Sequence, residues 1–421
     1  MKKICVLGLG YIGLPTSAIL ALNGYQVIGI DINKEIVETV NKGKIHINEP
    51  KLCNIVSDMV AKKRLVAKTK PEKADIFIIS VPTPLNKNKC CDLSFVITAI
   101  KSIIPYIEKE NIIIIESTIP PHTVEDIIKP IIEKAGFNVG KDIYLAYCPE
   151  RVLPGRIMDE LVNNNRIIGG CTSICAKKAA EIYKSFIKGE ILITDAKTAE
   201  MTKLIENTFR DVNIALVNEL VKICNKLRIN VLEVIKLANK HPRVNLHLPG
   251  PGVGGHCLAV DPYFIIQKTP YLARIISLAR EINSNMPYYI VSQVKQLTKD
   301  INKPKIAVFG IAYKGNVDDI RESPALKIIE LLKNEGFIVT IYDPYVKTDI
   351  IATSTINQSI ENADMILLLA DHNEFKNINY VKLVKKMRTP IIFDTKNIIK
   401  KIDNNFKKIK IINLGNLFTI D

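Results

Sequence analysis

The chain opens on a pattern that leaves its N-terminal fold little choice. An apolar run, Ile4–Leu7, leads into Gly8-Leu9-Gly10-Tyr11-Ile12-Gly13, and a helix-length segment, Pro15–Asn23, follows. A second apolar run, Val27–Ile30, ends at Asp31. Strand, glycine-rich turn, helix and strand in that order make a βαβ unit. Glycines at this spacing let the backbone approach a pyrophosphate, whose charge lies at the helix N terminus. An acid ending the second strand accepts hydrogen bonds from a ribose diol and repels a 2′-phosphate. Gly8, Gly10, Tyr11, Ile12, Gly13 and Asp31 therefore read as a cradle for NAD rather than NADP. A plain tight turn accounts for the glycines alone. Met1-Lys2-Lys3 before an uncharged stretch to Ile30 also resembles a signal peptide or membrane span, but glycines, Pro15 and Asn23–Gln26 punctuate it.

The same alternation continues down the chain. Apolar runs at Ile76–Val81, Ile112–Ile115 and Ile143–Tyr147 have strand length, and Ser94–Glu108 has helix length. Unbroken β-branched runs indicate strands covered on both faces, hence a parallel sheet. Arg166–Ile168 and Ile191–Ile193 extend it, closing a first domain over residues 1–195. From Thr198 to Asn239 there is no Pro or Gly. Apolar residues recur there at three and four (Leu204, Ile205, Phe209, Val212, Leu216, Leu220, Ile223), which predicts one long helical stretch. Pro249–Gly255 interrupts, read most simply as a flexible loop, before helical sequence resumes over Tyr271–Thr298; this central region spans 196–300. A further α/β half, 304–421, carries strands at Ile306–Phe309, Ile338–Tyr342, Met365–Leu369, Ile391–Phe393 and Ile409–Ile412. The expected fold is α/β, with two Rossmann-like parallel-sheet domains joined by a central helical region. The halves share a rhythm but no tandem repeat of letters.

Composition narrows the function classes. A length of 421 residues suits two or three domains, and 47% hydrophobic with 24% charged residues suits globular cores. The net charge of +15 favours anionic partners without choosing among nucleic acids, membrane surfaces and phosphorylated metabolites. Trp is absent and aromatics are 6%, and no helix-turn-helix, zinc-finger or RNA-binding pattern appears, so no nucleic-acid partner is expected. Lys385, Lys386, Lys400, Lys401, Lys407 and Lys408 read as a solvated face. Nine cysteines, with no CxxC pair, Cys90 and Cys91 adjacent and Cys171 and Cys175 four apart, make neither a disulfide framework nor a zinc site. We expect no metal, reduced thiols such as a buried Cys5, and a cytoplasmic setting with no membrane anchor.

Five further segments carry chemistry. Val81-Pro82-Thr83-Pro84, Glu116-Ser117-Thr118 and Cys148-Pro149-Glu150-Arg151 each lie just beyond a strand's C-terminal end, where an open parallel sheet collects its ligands. Alone, they read equally as turns and caps. Lys203, Asn207 and Arg210 share one helical stripe at i, i+4 and i+7, a pattern that a solvated face also shows. Cys257 directly follows the glycine-rich turn, with Asp261 four residues on. That pair reads as a nucleophile and its helper, or as a buried cysteine beside a helix cap.

In their order, these motifs resemble those of the NAD-dependent nucleotide-sugar 6-dehydrogenases, the family of UDP-glucose and GDP-mannose dehydrogenases. The resemblance runs from the N terminus to about residue 395 and includes Tyr313-Lys314 and Arg321-Glu322-Ser323. It implies a four-electron oxidation of a sugar C6 alcohol to a carboxylate with two NAD and one water. Cys257 would form a thiohemiacetal and then a thioester, Lys203 and Asn207 would stabilise the charged oxygen, and Asp261 would assist the thiol or the water. Thr118 would serve catalysis and cofactor, Thr83 and Arg321 the cofactor. Glu150, Arg151, Val152, Lys203, Asn207, Arg210, Gly254, Tyr313 and Lys314 would line the UDP-sugar. His241 and Arg243 resemble an element donated across a subunit boundary, implying a homodimer, or an oligomer built from dimers, formed through the central helices. Within the family, His256 and Val260 stand where UDP-glucose enzymes usually carry Ser and Lys. The loop Gly250–Tyr263 looks most like the branch that oxidises UDP-N-acetyl-D-mannosamine.

Overall fold

The computed structural model describes residues 1–153, 155–348, 350–399 and 409–420. Lys400, Lys401, Lys407 and Lys408 lie outside the described residues, whereas Lys385 and Lys386 are exposed. The chain forms two compact units, Met1–Glu206 with Tyr263–Pro270, and Asn207–Pro262 with Tyr271–Asp421.

The first unit is built on an eight-stranded sheet. Its strands are β1 (Lys3–Leu7), β2 (Gln26–Ile30), β3 (Leu65–Lys68), β4 (Ile76–Ile79), β5 (Ile112–Ile115), β6 (Tyr144–Tyr147), β7 (Arg166–Gly170) and β8 (Ile191–Asp195). They lie in the order β3-β2-β1-β4-β5-β6-β7-β8. Residues of β5 are buried on both faces, as an isoleucine run requires. The order reverses between β1 and β4, which opens a crevice at the C-terminal strand ends. One pair departs from a wholly parallel sheet: β7 runs antiparallel to β6. That reversal brings the first residue of β7, Arg166, to the ligand-collecting edge.

The second unit holds a five-stranded parallel sheet, ordered β10-β9-β11-β12-β13. Its strands are β9 (Lys305–Phe309), β10 (Ile338–Tyr342), β11 (Met365–Leu368), β12 (Ile391–Asp394) and β13 (Lys410–Asn413). Its reversal lies between β9 and β11. The turn after β9 begins at Gly310, with φ +86°, and places buried Ala312 where the first unit has exposed Gly10.

The long helical stretch divides in two. One helix spans Ala196–Leu227 and a second Val231–Ala238. Neither Pro nor Gly ends the first; Arg228 takes φ +58°, and the Asn230 side chain accepts from the N–H groups of Leu232 and Glu233. A third long helix, Arg274–Leu297, lies within the Tyr271–Thr298 expectation. Among the described residues no helix is long and apolar enough to cross a membrane.

Candidate active site

In the first unit the three glycines of the opening turn do different work. A Cβ on Gly8 would meet the Ser80 carbonyl oxygen at 2.4 Å, and one on Gly13 the Gly8 carbonyl oxygen at 1.8 Å. Both are glycines because backbone passes against backbone. A Cβ on Gly10 would meet nothing within 4 Å. Open space above that residue is what a pyrophosphate needs for close approach. The following helix, Gly13–Leu22, starts without a side-chain cap, which leaves its N terminus to an anion. Asp31 closes the cradle, its carboxylate accepting from Leu9 N at 3.0 Å and Asn33 N at 2.9 Å. Tyr11 and Ile12 are half-buried on the turn between Gly10 and Gly13. This geometry fits NAD.

Beneath the turn lies a buried charge cluster that the motifs did not reveal. Arg166 reaches Glu116 at 3.0 Å and also pairs with Glu150. Glu116 accepts from Tyr183 at 2.7 Å, from Ser80 at 2.8 Å and from Thr16 at 3.4 Å. Burial raises the Glu116 carboxyl above its ordinary range. A charged residue opening an otherwise apolar strand, Arg166-Ile-Ile-Gly-Gly170, was the available signal. The cluster fixes both Glu150 and the base of the Glu116–Thr118 turn, whose Ser117 hydroxyl donates to the Val81 carbonyl at 2.7 Å. Arg151 binds Glu206 at 2.6 Å, while Thr83, Thr118 and Val152 are half-buried at strand ends. Burial pushes the Cys148 thiol to about 11, which leaves it a poor nucleophile.

Lys203 is buried on the Ala196–Leu227 helix. One turn earlier, Glu200 accepts from His122 N at 2.6 Å and Val124 N at 2.9 Å. It ties the segment following Thr118 to the helix carrying Lys203. Burial raises the Glu200 carboxyl to about 8. Sequence reasoning passed over this residue too.

In the second unit the glycine-rich segment is pinned rather than flexible. Gly250 N donates to Asn218 at 3.0 Å, and Asn218 donates to Asn283 at 2.9 Å. Asn283 donates to Asp211 at 2.8 Å, which pairs with Arg280 at 2.6 Å. At the other end Gly255, with φ +81°, donates to the Arg321 carbonyl at 3.0 Å. A Cβ on Gly254 would meet the Glu322 carbonyl oxygen at 2.6 Å and Tyr313 Cβ at 2.8 Å. Tyr313 therefore packs directly on the loop that presents Cys257. Cys257 is partly exposed, and its carbonyl accepts from Asp261 N at 2.8 Å, so thiol and carboxylate stand one turn apart. Asn207 donates to Asp261, and Arg210 to Asn207. Lys314 is half-buried beside Tyr313. Arg321 pairs with Asp319 at 2.6 Å. His241 and Arg243 stand apart on an exposed turn after Val231–Ala238, the His241 ring accepting from Arg243 N at 3.3 Å. Among the described residues no cluster of His, Cys, Asp and Glu could hold a metal ion.

The sequence matches three models of the UDP-glucose/GDP-mannose dehydrogenase family: the NAD binding domain over residues 2–187, the central domain over 197–285 and the UDP binding domain over 307–401. A UDP-N-acetyl-D-mannosamine dehydrogenase of Methanococcus vannielii is 50% identical across 99% of this chain and 97% of its own. The solved UDP-N-acetyl-mannosamine dehydrogenase of Staphylococcus aureus superposes with a TM-score of 0.92 at 50% identity, covering 99% of each chain. A solved UDP-D-ManNAc dehydrogenase of Pyrococcus horikoshii gives 0.93 at 42%, covering 99% of this chain and 100% of its own.

Proposed function

The chain belongs to the UDP-glucose/GDP-mannose dehydrogenase family and is an NAD-dependent nucleotide-sugar dehydrogenase; from that premise we propose that it oxidises the C6 hydroxyl of UDP-N-acetyl-D-mannosamine to the carboxylate. The observation that carries the choice of sugar is the 50% identity, over nearly the whole of both chains, to a dehydrogenase of that substrate. His256 and Val260 around the thiol agree with it. A site that hydrogen-bonds the 2-acetamido group discriminates against a sugar lacking it, because the unpaired partners cost about 1–3 kcal/mol each.

NAD, held at Gly8–Gly13 and Asp31, supplies the hydride acceptor. The remaining chemistry belongs to the chain. As the first hydride leaves C6, Lys203 takes part in removing the hydroxyl proton, and the Asn207 amide stabilises the oxygen. The Cys257 sulfur then adds to the aldehyde carbon, giving a thiohemiacetal. Loss of the second hydride and of the hydroxyl proton makes a thioester. Water, directed by Asp261, cleaves the carbon–sulfur bond and regenerates the thiol. Glu150, Arg151, Val152 and Arg210 would bind the sugar, Gly254, Tyr313 and Lys314 the nucleotide portion, and Thr83 and Thr118 would help hold the cofactor.

The working form in this proposal is a homodimer in the cytoplasm. One stripe of the Ala196–Leu227 helix exposes Ile205, Phe209, Leu216, Ile223 and Leu227, and Tyr271, Leu272 and Ile275 are more exposed still. Apolar area on this scale calls for a protein partner. Arg243, exposed on its turn, would complete the neighbouring chain's site.

The deciding experiment offers the protein a panel of nucleotide sugars with NAD and counts NADH formed per sugar. We expect two per UDP-N-acetylmannosamine and little turnover of UDP-glucose. Equal efficiency on UDP-glucose, or preference for the C2 epimer UDP-N-acetylglucosamine, overturns the choice of sugar and leaves the class standing. One NADH per sugar overturns the thioester route.

A further inference from the structure

The turn after β9, Gly310–Val317, emerges at the point where the second sheet reverses its strand order. Such points collect ligands in open α/β sheets. Its two ends are held by one side chain from the segment after β11. His372 is wholly buried; its Nδ1 accepts from Asn316 N at 2.8 Å, and its Nε2 lies 3.2 Å from an Asp343 carboxylate oxygen. That oxygen also accepts from Ile311 N at 2.7 Å and Ala312 N at 3.3 Å. A ring nitrogen that receives a backbone N–H carries no proton, so the hydrogen sits on Nε2 and is donated to Asp343. One imidazole therefore links Asn316 directly, and Ile311 and Ala312 through Asp343. Between these anchors lie only Tyr313, Lys314 and Gly315.

The surroundings leave the ring a single place. Tyr345 stacks on it at 4.9 Å, with its hydroxyl donating to Glu374 at 2.8 Å, and Phe375 meets it edge-on at 5.1 Å. Gly315 N donates to Asp371 at 3.0 Å, and Asn373 N to the Asn316 side chain at 2.8 Å. Asn316 takes φ +62°, the left-handed conformation that asparagine tolerates better than most residues.

We propose that His372 is a positioning residue for nucleotide-sugar recognition, setting the backbone at Tyr313 and Lys314 from behind without touching the ligand. This rests on the reading above that the turn contacts the nucleotide. A histidine whose function was only to stabilise the fold would affect both substrates alike. One that positions this turn affects the sugar nucleotide and spares NAD, whose cradle is in the other unit.

The test uses the full-length enzyme and three variants, with UDP as a calorimetric probe in the absence of NAD. His372→Leu removes both bonds, His372→Asn is too short to span both partners, and His372→Gln can accept from Asn316 while donating to Asp343. We expect His372→Leu to weaken UDP binding, and to raise KM for the nucleotide sugar, by roughly tenfold or more. KM for NAD should stay within about twofold. His372→Asn should fall between, and His372→Gln should restore most of the affinity. If the leucine variant does not fold, the asparagine and glutamine variants decide. UDP affinity unchanged in folded variants, or equal losses for UDP and NAD, overturns the proposal. Wild-type protein that binds no UDP overturns the nucleotide reading and the proposal with it.

Discussion

Asn207 gives an amide hydrogen to Asp261 while its carbonyl takes one from Arg210, so the amide has only one orientation. Turned over, its NH2 would face a guanidinium and its oxygen a carboxylate. We predict that Asn207→Asp lowers kcat by roughly 10²–10³ and more than Asn207→Ala does, because it sets a second carboxylate against Asp261 where negative charge develops. Steady-state rates for both variants check this. An aspartate variant as fast as wild type removes Asn207 from charge stabilisation.

Asp31 both shapes the turn, through Leu9 N, and stands where a ribose diol would lie. Asp31→Ala should raise KM for NAD roughly tenfold and narrow the preference over NADP. Initial rates with each cofactor measure it. Wild-type enzyme using both equally contradicts the assignment.

Cys257→Ser should lose net uronate formation by roughly 10³-fold or more while still binding the nucleotide sugar. A hydroxyl on the same turn is a far weaker nucleophile. Product analysis beside a binding isotherm separates the two effects, and undiminished turnover eliminates the thiol from the reaction.

Mixing Arg243→Ala with Cys257→Ser chains should recover some activity, since a mixed dimer can hold one site with both residues intact. Absence of recovery, with subunit exchange demonstrated independently, returns Arg243 to its own chain's site or outside catalysis.

Glu200 gives a pH prediction with a definite sign. Its carboxyl is raised to about 8, chiefly by burial, so the folded state holds a proton that the unfolded state releases near its usual value. The stabilising contribution is complete at low pH and is lost as pH rises through about 8. Glu200→Gln cannot ionise, and its melting temperature should fall less than that of wild type between about pH 6 and pH 9. Parallel curves for the two proteins reject the assignment.

How far the letters carried depended on whether the signal was local. Ile112–Ile115 stands as the strand its composition predicts, because β-branched side chains favour the extended backbone and four of them together suit a strand buried on both faces. Leu65–Lys68 was passed over: four residues of alternating burial at a sheet edge give almost no periodic signal. The break at Arg228 escaped for a related reason, since a left-handed arginine and an asparagine cap leave no Pro or Gly behind. In the candidate site, Gly8–Gly13 and Cys257–Asp261 are contiguous, so the roles proposed for them rest on local pattern. Arg166, Tyr183, Asn218 and His372 act on partners far away in the chain, and no spacing rule reaches them.

The contrast between Gly10 and Ala312 has a kinetic meaning. The second sheet retains an acid at the end of its second strand, Asp343, which braces its turn as Asp31 does, but the turn carries the methyl of buried Ala312 where the first has open Gly10. Among the described residues one dinucleotide cradle is formed. On the proposed four-electron route, two hydride transfers per sugar would then occur in series, with spent cofactor departing and fresh cofactor arriving between them. The half-life of the proposed carbon–sulfur adduct at Cys257 would have to exceed that turnaround, which makes such catalysis a contest of lifetimes as much as of barriers.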